Sequence, residues 1–167
     1  GIPHTFLHPN FFTQNLAFQF SSAKAHGVIR SAVPQAAIAM VDARDIAAVA
    51  ARILAKPDLA LNKTLKLTNS KAVCYEDIAL MLSSLLKKTV KFEPQSMEQV
   101  EKALRNAGQP DWHIQILLQF NRAFNEGRGN QVDPVIQDIL GCQPIEVMDS
   151  LQYLLAAELN DSNPFPS

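Results

Sequence analysis

The chain has 167 residues, of which 47% are apolar and 19% charged, enough for one domain's worth of buried core. Fifteen Lys and Arg against sixteen Asp and Glu leave a net charge of −1, which argues against a strongly cationic nucleic-acid surface but not against a local basic patch. No run approaches the ~20 apolar residues of a membrane span, and no charged-then-apolar leader opens the chain. A cytoplasmic protein with neither nucleic acid nor membrane as partner is expected.

The first segment, PHTFLH, is rich in aromatic and β-branched residues and reads as a strand ending at Pro9. Between Asn10 and Phe20 apolar residues alternate with amides, which predicts a short helix or helical turn. Residues 21–26 read as loop, with a turn at Gly27. VIRSAV and AIAMVD are short extended pieces broken at Pro34. IAAVAARILA is the strongest helix signal, with Asp45 as its N-cap and Pro57 beyond its end. TLKLT and TVKFE alternate as half-buried strands around the amphipathic helix YEDIALMLSSLL, an αβαβ rhythm that implies parallel pairing.

From Ser96 the character changes. Ser96 and Gln99 have capping-box spacing ahead of a helix closed by Gly108. Pro110 and Asp111 open a second helix, whose Trp112, Ile116, Leu117, Phe120 and Phe124 read as its core-facing stripe. Asp133 and Pro134 open a short helix ended by Gly141, and EVMDSLQYLLAAEL is the last. Strands therefore belong to residues 1–95, helices to 96–160, and 161–167 reads as a flexible tail. The six glycines are scattered, with no G-x-G-x-x-G or P-loop spacing.

Three stretches, FLHPNFFTQNL, VDARDIAAVAARIL with TLKLTNSKAVCYEDIA, and DPVIQDILGCQPIEVMDSL, resemble the C-terminal half of the NmrA-like group of atypical short-chain dehydrogenases/reductases. The resemblance covers essentially the whole chain in order. It implies an α/β fold, with residues 1–95 the C-terminal strands of a partial Rossmann-like sheet and 96–160 a helical substrate-binding region. It also implies NAD(P)H as cofactor and a quinone- or dye-reductase-like activity. The dinucleotide-binding half would lie in sequence not present here, so the chain is expected to be inactive by itself. The open edge of PHTFLH would then need covering, by dimerisation or strand exchange. A non-enzymatic small-molecule-binding, redox-sensing or oligomerisation module is the alternative.

Ligands gather at the carboxyl ends of strands in open α/β sheets, which draws attention to the loop after the first strand. By resemblance, Pro9 and Asn10 line the cofactor end of the cleft, and Asn10, Phe11 and Phe12 its small-molecule substrate end. Trp112 is a further substrate candidate on the alternative that part of its aromatic stripe lines a lid rather than core. An arginine is common in the group where His8 stands, so the resemblance carries no ionic role over to His8. The bland alternative is that Pro9 and the two phenylalanines turn the chain and fill core. Gln14 and Asn15 read as satisfying backbone groups, and Asp42, Arg44 and Asp45 as a structural cluster. The same holds for the thiols Cys74 and Cys142, expected to be buried, and for Lys87, Lys88 and Lys91, expected to be solvated. The four histidines lack metal-ligand spacing, and neither Tyr75 nor Tyr153 begins a Y-x-x-x-K pair. No catalytic residue can be named.

Overall fold

The computed structural model describes residues 1–159; the expected tail at 161–167 and residue 160 lie outside the described residues. In chain order the elements are β1 (Thr5–Pro9), a 3-10 helix (Thr13–Gln19), α1 (Phe20–His26), β2 (Val28–Ser31), α2 (Ala43–Ala55), a 3-10 turn (Pro57–Leu59) and β3 (Lys63–Leu67). They continue with α3 (Tyr75–Leu86), β4 (Lys91–Pro94), α4 (Met97–Asn106), α5 (Asp111–Asn125), α6 (Val135–Leu140) and α7 (Val147–Leu159). The chain is α/β, with all four named strands paired parallel. Those strands precede residue 95, and among the described residues the named elements after it are helices. Compactness divides the chain differently. One unit comprises residues 1–18, 39–72 and 131 onward, and the other 19–38 and 73–130.

In the first unit β1 and β3 run parallel in register from Thr5 opposite Lys63 to Pro9 opposite Leu67. Such pairing needs a crossover, and α2 supplies it. Its Val49 and Ile53, a turn apart, bury against Val41, Ala60, Leu65, Leu67 and Ile136. Lys56 ends the helix because the residue before a proline disfavours the α conformation. The N-cap is Asp42 rather than Asp45: Asp42 is extended, and its carboxylate accepts from the Arg44 N–H at 2.8 Å. Asp45 sits one turn inside the helix and is turned to another use.

The second unit pairs β2 parallel with β4, Val28 opposite Lys91 through Ser31 opposite Pro94. Residues 20–26 form α1 instead of the expected loop, because Phe20 and Ala23 bury on one face and give the segment a packing reason to be helical. Gly27 ends it in the left-handed region at φ 66°, and a Cβ there would stand 2.8 Å from the Thr89 carbonyl. Residues 37–42 form no named strand; single bridges hold Ile38 to Val73 in this unit and Val41 to Phe12 in the first. The capping box of α4 is present, with Gln99 N–H donating to Ser96 Oγ at 3.2 Å and Ser96 N–H to Gln99 Oε1 at 2.7 Å.

The stripe expected to face the core on α5 does so only in part, through Phe124 and the half-buried Leu117. Ile114, Leu118 and Phe124 are buried, while Trp112, Ile116 and Phe120 are 67%, 42% and 54% exposed. Both rows have helical spacing, and the sequence does not say which one meets the rest of the unit. The thiols are a second correction: Cys142 is exposed, and Cys74, half-buried, is the N-cap of α3 with its Sγ against Asp77.

Candidate functional site

Beyond Pro9 the chain leaves β3, and residues 39–41 enter the gap. Asn10 N–H still donates to the Leu67 carbonyl at 3.0 Å, but Phe11 and Thr13 bond Val41 instead, each at 2.9 Å. Met40 in turn accepts from Asn69 N–H at 2.7 Å. The Asn10 side chain fixes this junction by donating from Nδ2 to the Ala39 carbonyl at 2.9 Å. The carboxyl ends of both strands are thus held by a backbone lattice, and the Pro9–Phe12 loop is rigidly presented. Pro9, Asn10 and Phe11 are half-buried, and Phe12 is 38% exposed. Behind them, Gln14 Oε1 accepts from Ala43 N–H at 3.0 Å, the backbone-satisfying role its amide suggested. Thr13 is fully buried and its hydroxyl has no partner.

Asp42 is the electrostatic centre of the unit. Its side chain is fully buried and receives a bidentate Arg44 guanidinium, from Nε at 3.0 Å and Nη2 at 2.8 Å, and the Ser150 hydroxyl from α7. Burial pushes the carboxyl up, but the bonds from Arg44 and Ser150 outweigh it and bring it down to about 2. The Arg44 guanidinium also lies over the Tyr153 ring, 4.2 Å from its centroid. Asp45 behaves oppositely: burial pushes it up, and the Ile145 N–H, donating at 2.8 Å, only partly opposes that. The Ile145 carbonyl accepts from Asn69 Nδ2 at 2.7 Å, so both its backbone groups are clamped just before α7.

The structure therefore brings together Pro9, Asn10, Phe11 and Phe12 with Ala39–Asp42. Trp112 belongs to the second unit, on the exposed row of α5, with its ring 5.5 Å from that of His113. Tyr75, also in the second unit, stacks on Phe92 at 5.6 Å, and burial pushes its phenol up, against a role as proton donor. Sequence reasoning passed over Thr13, Asn69 and Ser150. Ser150 meets Asp42 across 108 residues, and no local pattern announces such a pair. Among the described residues no group of three or more His, Cys, Asp and Glu is placed to hold a metal ion.

A dinucleotide's pyrophosphate is cradled where a strand turns through glycine into a helix. Here the positive-φ glycines are Gly27, Gly108, Gly127 and Gly141, each at or just past the C-terminal end of a helix. The residues present do not fit the phosphate end of NAD(P)H. Those of the Pro9–Phe12 loop, apolar and aromatic beside a single amide, fit a planar ring.

No protein-family profile matches the chain. It is 31% identical over 111 residues to the NAD(P)H azoreductase of Xenophilus azovorans, covering 66% of this chain and 38% of that protein. The NADPH-dependent quinone oxidoreductase of Escherichia coli superposes on 93% of this chain with a TM-score of 0.84 at 23% identity, over 56% of its own length. The two share a fold. The triphenylmethane reductase of Citrobacter sp., solved with NADP(H), matches 92% of the chain at a TM-score of 0.80 and 22% identity, over 53% of its length. The chain thus spans about half the length of the reductases it superposes on. Among the described residues, no helix is long and apolar enough to cross a membrane.

Proposed function

We propose that these 167 residues form the substrate side of a cytoplasmic, NmrA-like NAD(P)H-dependent reductase that acts on a planar acceptor such as a quinone or dye. The observation that carries this reading is the Pro9–Phe12 loop. It lies at the carboxyl end of a parallel strand, pinned at Asn10 and Phe11 by backbone bonds, with the Phe12 ring left open to solvent. The similarity to an azoreductase and the shared fold with quinone and triphenylmethane reductases support it.

In this reading Pro9 and Asn10 border the nicotinamide, and Asn10, Phe11 and Phe12 wall the acceptor. Trp112, exposed on the second unit, is proposed as a small-molecule contact of that unit by itself. Bound NAD(P)H would supply the hydride; this chain's part is to orient the acceptor and exclude water from it. Lacking a phosphate cradle, the chain is inactive alone. That same lack favours the second reading, a small-molecule-binding or redox-sensing module without turnover.

The test is a titration of the chain with a naphthoquinone, followed by intrinsic fluorescence and calorimetry. Saturable binding that Phe12→Ala weakens by about tenfold, the worth of one ring contact, is expected. Saturable binding unchanged by Phe12→Ala and Asn10→Ala would place the acceptor elsewhere, and no binding at all would contradict the reading.

A further inference from the structure

The edge of β1 away from β3, which was expected to need covering, carries an inference of its own. The His4 carbonyl accepts from Asn62 N–H at 2.7 Å, and Asn10 N–H donates to Leu67 at 3.0 Å. Even-numbered residues therefore turn their backbone groups toward β3. Strand alternation turns those of Thr5 and Leu7 outward. Among the described residues β3 is the one strand paired with β1, so the outward amides and carbonyls have no ladder to join. The side chains divide as well: Thr5 and Leu7 are half-buried, while His4, Phe6 and His8 are exposed. Residues 1–23 contain no Asp, Glu, Lys or Arg, and so none of the charges that usually guard a strand edge.

The sequence around this edge is nearly palindromic. Pro3-His4-Thr5-Phe6-Leu7-His8-Pro9 reads alike in both directions save for the exchange of Thr5 and Leu7. We propose that β1 pairs antiparallel with β1 of a second copy of this chain, about a twofold axis at Phe6. In that register each Thr5 meets the Leu7 of the other copy as a hydrogen-bonded pair, and the two pairs exchange four N–H to carbonyl bonds. The next outward positions, 3 and 9, face each other as prolines. Neither has an N–H, so the ladder stops with no donor stranded. Phe6, 60% exposed in one copy, meets its counterpart in the close, non-hydrogen-bonded pair. Each His4 faces a His8. A strand from a different polypeptide would satisfy the same backbone groups but would gain nothing from the palindrome.

Two measurements test this pairing. Light scattering across a concentration series should give a dimer of twice 18.4 kDa. Phe6→Lys, at an exposed position that spares the core, should raise the dissociation constant at least about tenfold by setting two like charges opposite each other. In a Cys142→Ser background, Phe6→Cys should form an interchain disulfide under mild oxidation, since residues facing across the axis lie within disulfide reach. His8→Cys should not, because the two copies of residue 8 would stand about 13 Å apart along the strands. A chain monomeric at every concentration, a dimer indifferent to Phe6→Lys, or equal cross-linking from positions 6 and 8 would overturn the proposal. A monomer that captures a different added strand would assign the edge to that strand and overturn it equally.

Discussion

Protonating Asp42 should remove stability from the first unit. Its carboxyl lies at about 2 in the folded chain against an ordinary 3.8. A depressed folded value means stability that is present above pH ~4 and lost as pH falls toward ~2, worth about 2 kcal/mol. Asp45, raised by burial, works in the opposite sense, since its charged form is disfavoured in the fold. Urea unfolding at pH 7 and near pH 2 should show Asp42→Asn costly at the first and nearly silent at the second. Equal loss at both would mean that the Arg44 and Ser150 bonds act without the charge. Thr13 gives a prediction of the other sign: its buried hydroxyl has no partner, so Thr13→Val should stabilise the chain by about 1 kcal/mol. A loss would show that the hydroxyl has a water or ligand partner. At this scale the sequence was legible where the partner is close. Ser96 with Gln99 could be read; the partner of Gln14, the Ala43 N–H 29 residues away, could not, nor could the choice of Asp42 over Asp45 as cap, because both are acidic and one turn apart.

Elements were legible where apolar spacing and breakers agreed. YEDIALMLSSLL became α3 residue for residue, and TLKLT became β3 within one residue. They were illegible where packing decides. α1 depends on burying Phe20 and Ala23, and its end on Gly27 meeting the Thr89 carbonyl. Gly27→Ala should therefore cost at least about 2 kcal/mol, from the left-handed conformation and the contact together. Gly108→Ala, at φ 72° with nothing within 4 Å, should cost about 1 kcal/mol; equal midpoints in urea would remove the argument from contact. On α5 the expected stripe divides, with Phe124 buried and Trp112, Ile116 and Phe120 left exposed. Trp112→Ala should change stability by less than about 0.5 kcal/mol, where a core tryptophan would cost about 3–5 kcal/mol.

At the scale of the molecule, an α/β chain with parallel pairing was readable from the alternation of strands and helices. The division into units was not. The chain enters and leaves each unit more than once, and only contacts between residues distant in sequence define them. The candidate site was readable as a place, the carboxyl end of β1, because that rule depends on strand direction alone. The lattice that fixes it, Val41 against Phe11 and Thr13 and Asn69 against Met40, was not, since residues 39–41 have no strand partner along most of their length. On the proposed reading, this chain carries the acceptor side of a reductase without the dinucleotide's phosphate cradle. The most direct measurement is calorimetric titration of the 167-residue chain with NADPH and, separately, with a naphthoquinone. Saturable heat from the quinone, and none from NADPH at concentrations where the quinone saturates, is the expected result. Tight NADPH binding by the chain alone would contradict it.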